Sequence, residues 1–176
     1  GDGDYVVPEP GPGVWEPTMQ MPDGSPMPPM DPWMRNLQPF LRETPGQYQL
    51  PAPPDLDDPQ YLEDLAEVRD WGSADSTLRT EEQAAIARFW GTNMVIQTNE
   101  AYRSVAAERG LNLLETARLM AMGNMVATDS LIATFDTKYE YSFWRPVTAI
   151  RHTNPDDNSY SADELNDWMP LMPTPN

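Results

Sequence analysis

The chain has 176 residues, enough for one domain with a hydrophobic core, and sets 28 acidic side chains against 11 basic ones for a net charge of −17. That charge repels phosphate backbones and anionic membrane surfaces, so no nucleic-acid or membrane-surface partner is expected. Cysteine is absent and His152 is the single histidine, which excludes disulfides, thiolate sites and multi-histidine metal centres.

No apolar run approaches the ~18 residues that a bilayer crossing requires. The sequence starts at Gly1 without a charged, apolar leader, the pattern of a processed export product, so a secreted or periplasmic location is expected. Ten of the eleven basic residues are arginine. Strong acidity with a lone lysine suits a protein that stays soluble at high salt.

Residues 1–57 read as a Pro-rich extended arm. Fifteen of the 20 prolines fall within residues 1–59, and proline removes a backbone donor and fixes φ, so long helices and central strands are disfavoured there. Trp15, Trp33, Phe40, Tyr48 and Leu50 punctuate the arm, which is more aromatic surface than a free linker carries. The expectation is an arm pinned by these aromatics to a helical body over residues 58–176.

That body opens with Asp58-Pro59, an acidic N-cap followed by proline at the first helical position. Tyr61, Leu62, Leu65 and Val68 then form an apolar stripe ending near Gly72. Thr80-Glu-Glu-Gln83 reads as a capping box, opening a helix that runs to Gly110 with a break near Gly91. Asn112, with Glu115 three residues on, starts a third helix that is apolar on nearly every face and so belongs in the middle of a bundle. Gly123 within it marks a close helix contact, and Met120, Met122 and Met125 read as core filler. Ser161–Glu164 forms a further capping box, predicting a short helix through Trp168. The segment "NPDDNS" at 154–159 reads as a turn rather than a cation loop, because it lacks the central glycine and distal glutamate. The fold class is all-α, a helical bundle preceded by an extended arm.

The chemistry concentrates in KYEYSFWRP, residues 138–146, which holds the only lysine and, seven residues on, Arg145. Pro146 biases Arg145 away from helical geometry, so a turn can bring both cations to one point. Lysine offers a compact charge and arginine a planar fork suited to two oxygens of a tetrahedral anion. Apolar Phe143 and Trp144 beside them lower the local dielectric. Tyr139, Tyr141, Phe143 and Trp144 are candidate pocket walls, and of these Trp144 is taken as a cofactor-binding residue. Asp129 and Asp136 either contact this pair or bind arginines elsewhere.

Lysine, six residues, then Arg-Pro resembles the first signature of the superfamily joining vanadium-dependent haloperoxidases with type-2 phosphatidic acid phosphatases. "LRTEEQAAIARFW", "ARLMAMGNMVATDSLIATFDTKYEYSFWRPVTAIR", "WMPLMPTPN" and the early "GPGVWEPT" all resemble its bacterial haloperoxidase-like branch. The resemblance implies an all-α fold holding vanadate, or a substrate phosphate, in one pocket. Lys138 and Arg145 match the residues that bind the oxyanion's oxygens, and no side chain of this chain is a direct metal ligand. In the haloperoxidases vanadate takes up hydrogen peroxide and oxidises halide to hypohalous acid. In the phosphatases a histidine attacks the phosphate ester.

The second and third signatures, a Ser-Gly-His after proline and an arginine followed by a histidine, are not in this sequence, and His152 matches no histidine of the family. His152 is read as a surface or capping residue. The site residues here are therefore half a set. A second polypeptide or a C-terminal portion is expected to supply the rest, in an oligomer; the alternative is a non-catalytic relative that uses the fold for assembly. A buried helix at 112–137 needs partners, so the chain alone should expose a large apolar patch.

Overall fold

The computed structural model describes residues 5–174. Five α-helices, in chain order, are α1 (Pro59–Gly72), α2 (Glu81–Trp90), α3 (Met94–Glu108), α4 (Leu113–Tyr141) and α5 (Pro146–His152). No β-strand forms among the described residues; isolated bridges are the only extended pairing. No helix there is long and apolar enough to cross a membrane.

Local capping chemistry sets the helix starts. The Asp58 carboxylate accepts from the Gln60 amide at 2.8 Å, with Pro59 in the first turn. Thr80 and Gln83 form a reciprocal capping box, as do Asn112 and Glu115. The break between α2 and α3 falls at Gly91, and Asn93 caps the new helix through the Val95 and Ile96 amides. At Gly123 a Cβ would lie 2.4 Å from the Tyr102 ring, so glycine is what lets α3 and α4 approach. Asn99 on α3 and Asn124 on α4 hydrogen-bond across the same contact at 3.3 Å.

The helix expected at 161–168 does not form. Its donors are directed at the C-terminal side of α5 instead. Ser161 N donates to His152 O, Leu165 N to Arg151 O and the Asn166 side-chain amide to Ile150 O. The tail then crosses the end of α1, where Leu171 N donates to Gly72 O and the Trp168 indole to Arg69 O. The Asn154–Ser159 segment is a turn, closed by Asn154 N donating to Ser159 O.

A small core joins α1 to α5, with Tyr61, Trp144 and Ala149 buried against Leu56, Leu62, Leu65 and Phe143. The long α4 is covered along one stripe only, where Asp129, Ile132 and Tyr139 are buried. Its start is open, with Leu113 88% and Leu114 79% exposed, as are Met122 and Val126 further along. The expected bundle centre is thus half built among the described residues, and its apolar patch is exposed as anticipated.

The arm does lie on α4, but its aromatics are not what holds it. Trp15 is buried, whereas Phe40, Tyr48 and Leu50 are each more than 60% exposed. Polar contacts do the anchoring. The Asp129 carboxylate accepts from the Phe40 and Leu41 amides at 2.7 and 2.8 Å, and Arg42 donates to Asp129 O and Pro45 O. Arg35 pairs with Asp136 and Glu140. The Tyr139 hydroxyl donates to Met30 O and that of Tyr141 to Leu50 O. Asp129 and Asp136 thus bind the arm.

Burial works to raise the Asp129 carboxyl's affinity for a proton, but the two amides and Arg42 outweigh it and hold the group below its ordinary value. A depressed folded value makes the anchor stabilising above roughly pH 4 and lost as pH falls through the lowered value. Asp129→Ala should lower the amide-exchange protection factors of Phe40 and Leu41 by roughly tenfold or more, and acid should lower the same protection factors in the native chain; unchanged protection would show the arm is held elsewhere. Gly123→Ala should cost about 1–3 kcal/mol in thermal unfolding, because Tyr102 must move.

Candidate functional site: a cationic pocket at the end of the long helix

Lys138 lies in the last turn of α4 and Arg145 is the N-cap of α5. The turn between them is made by Ser142, whose φ of 44° places it in the left-handed region and whose amide closes on Lys138 O. The chain leaves α4, runs extended for two residues, and re-enters a helix at Pro146. That reversal brings both cations to one cavity of about 210 Å³, several waters in size.

The arm builds the opposite wall. Val14 and Phe143 pair antiparallel, with Trp15 N donating to Ser142 O at 2.7 Å and Trp144 N to Gly13 O at 3.0 Å. Gly13 sits at φ 77°, a conformation that disfavours any side chain. Tyr5 closes the edge, with its hydroxyl 2.7 Å from Ser142 Oγ and its ring 4.6 Å from that of Tyr139. The cavity is lined by Tyr5, Trp15, Lys138, Tyr139, Phe143 and Arg145, among others.

Donors here outnumber acceptors. Arg145 Nε and Trp15 Nε1 are both buried without a hydrogen-bond partner among the described residues. Among the described residues no ion pair engages Lys138 or Arg145. The Lys138 ammonium instead lies 5.0 Å from the Tyr139 ring centroid and 5.4 Å from that of Phe135. Desolvation, then the nearby Arg145 charge, pushes the Lys138 ammonium below its ordinary value, with Asp31 opposing. Burial also lowers Arg145, and pushes the Tyr139 phenol up to about 12, so Tyr139 is neutral at physiological pH. Buried donors without partners are uncommon in folded proteins, and a multiply charged oxyanion is the chemistry that satisfies this set. The residues present therefore fit a tetrahedral oxyanion.

Of the four aromatics singled out in the sequence, Tyr139, Phe143 and Trp144 border the cavity while Tyr141 turns to the arm. Trp144 contributes its ring, because its indole N–H donates to the Tyr61 hydroxyl at 3.1 Å. Sequence reasoning had no place for Trp15 and Tyr5 in the site; "GPGVWEPT" was a signal, but spacing along a chain does not reveal which distant strand pairs with it.

His152 is buried, not on the surface. Its Nδ1 is 2.9 Å from Ser161 O and its Nε2 3.4 Å from a Glu16 oxygen, with Tyr160 stacked on the ring. It does not border the cavity. Among the described residues no cluster of acidic, histidine or cysteine side chains could hold a metal ion.

Gly13→Val should disrupt the pairing with Trp144 and, with it, the Trp15 wall, weakening sulfate binding in a calorimetric titration of the complete protein. Unchanged binding would show that the arm is not part of the pocket.

No curated protein and no solved structure matches the chain. The family model described as the VCPO second helical-bundle domain matches residues 118–176, a segment that includes most of α4, both cations and all of α5. That segment is thus similar to a helical-bundle domain of the vanadium haloperoxidase-like family, over about a third of the chain.

Proposed function

We propose that the pocket holds vanadate and that the protein is a vanadium-dependent haloperoxidase, its site completed by groups outside these 176 residues, in a C-terminal portion or a second polypeptide. The observation that carries this reading is the pair of buried donors without partners among the described residues, Arg145 Nε and Trp15 Nε1, beside the Lys138 ammonium, which no described ion pair engages.

Lys138 and Arg145 would bind and orient the anion's oxygens, each charged hydrogen bond contributing about 1.5–3 kcal/mol. Trp15 Nε1 would add a neutral donor from the arm. Phe143, Trp144 and Tyr139 exclude water, so the positive charge acts in a low dielectric. The chemistry supplied by bound vanadate is activation of hydrogen peroxide for the two-electron oxidation of a halide to hypohalous acid. A histidine to bind vanadium must come from outside the chain, since His152 is committed to Glu16 and Ser161 O.

In the complete protein, Arg145→Ala and Lys138→Ala should each weaken vanadate binding at least about tenfold, or 1.4 kcal/mol, and abolish vanadate-dependent bromination. An acid phosphatase would instead hydrolyse phosphate esters and be inhibited by vanadate. No vanadate binding at all would sink both.

The pH dependence has a definite sign. The Lys138 value is lowered, so sulfate, which does not titrate in this range, should lose affinity as pH rises through that lowered value. Without anion the folded state should gain stability over the interval from that value up to 10.5, where the unfolded chain binds the extra proton. Lys138→Arg should hold sulfate to higher pH.

A further inference from the structure

His152 closes α5 and is buried, and the pocket described above makes no direct use of it. Its Nδ1 lies 2.9 Å from Ser161 O and its Nε2 3.4 Å from a Glu16 carboxylate oxygen. A carbonyl oxygen only accepts, so the proton of a neutral ring sits on Nδ1. Nε2 then turns a bare lone pair toward the carboxylate, and two acceptors face each other. The contact becomes a hydrogen bond when one further proton sits between Glu16 and His152.

Both ends of this contact are held. The turn at 154–159 returns the chain along α5, with Ser161 N donating to His152 O at 2.8 Å and the Tyr160 ring stacked on the imidazole. That turn therefore fixes the tautomer. Arg151, the neighbour of His152 on α5, is directed elsewhere, at Glu164 and the Trp168 carbonyl. The groups that face the ring are thus the Glu16 carboxylate from the arm and the Tyr160 phenol from the turn.

Glu16 follows Trp15 directly and precedes Pro17, which biases it to extended backbone. Little slack therefore separates its carboxylate from the Trp15 wall. His152 ends the seven-residue helix whose N-cap is Arg145. The contact ties Trp15, one donor of the pocket, to the helix that begins at another.

We propose that Glu16 and His152 are positioning residues of the pocket, a proton-dependent latch that holds the Trp15 wall against α5. With the extra proton the pair is hydrogen-bonded and Trp15 is held at the cavity. Without it the arm loses a tie to α5, and Trp15 keeps its backbone pairing with the turn after α4. Anion affinity then falls as pH rises, a dependence separate from that of Lys138. The effect on binding rests on the oxyanion reading; the effect on the arm does not.

The test compares the complete native protein with Glu16→Gln at about pH 5.5 and about pH 8, a span over which an imidazole ordinarily changes charge. That span lies above the range in which the Asp129 anchor is lost. The introduced amide can donate to a bare Nε2 or accept from a protonated one, so the variant should keep the contact at both values. The readouts are the amide-exchange protection factors of Trp15 and Trp144, and sulfate affinity by calorimetry. In the native protein both should drop several-fold from the lower pH to the higher. In Glu16→Gln the protection factors should stay level, and sulfate should retain the decline due to Lys138 alone. Glu16→Ala, at a partly exposed position with little risk to folding, should weaken both at the lower pH. Identical pH profiles in the native and Glu16→Gln proteins would overturn the proposal, as would Trp15 protection that Glu16→Ala leaves untouched. The expected protection changes with no sulfate binding at either pH would overturn the oxyanion reading and leave the latch standing.

Discussion

The antiparallel pairing of Val14 with Phe143 is the contact on which the rest of the site depends. Two backbone hydrogen bonds, Trp15 N to Ser142 O and Trp144 N to Gly13 O, tie the start of the arm to the turn between α4 and α5. That turn positions Lys138 and Arg145, and the arm positions Trp15, so one short pairing assembles both walls of the cavity. Gly13 and Ser142, at φ 77° and 44°, take up the backbone geometry that lets these chain segments meet.

The pocket concentrates positive charge in a strongly acidic protein. Removing two cations from water costs stability that the nearby Asp31 charge only partly offsets at Lys138, and the lowered Lys138 and Arg145 values report that cost. The proposed oxyanion would offset it. The arm's contribution is separate: its hold on α4 comes from Asp129, Asp136 and the tyrosine hydroxyls, which satisfy backbone groups in a proline-rich segment that has few helical partners of its own. One helix thus carries both the anchor for the arm and the first cation of the site, with Asp129 and Lys138 bordering the same groove.

Much of this was legible in the sequence because it is local. Asp58-Pro59, Thr80–Gln83 and Asn112–Glu115 each declare a helix start through hydrogen bonds within one turn, and Arg-Pro at 145–146 declares the turn after α4. What failed was non-local. Ser161–Glu164 has the pattern of a capping box, but the carbonyls of His152, Arg151 and Ile150 take the Ser161 amide, the Leu165 amide and the Asn166 side chain, and hold the segment extended along α5. Exposed Phe40 and Tyr48 looked like pins because aromatic residues are usually buried, yet the amide of Phe40, not its ring, makes the contact. Trp15 could be placed in the site only once its pairing partner across the chain was known.

The most direct test of the account is an experimental structure of the complete protein grown with vanadate. The account predicts an anion within hydrogen-bond distance of Lys138 Nζ, Arg145 Nε and Trp15 Nε1 together. A structure in which those three donors are satisfied by protein groups, with no anion between them, would contradict it.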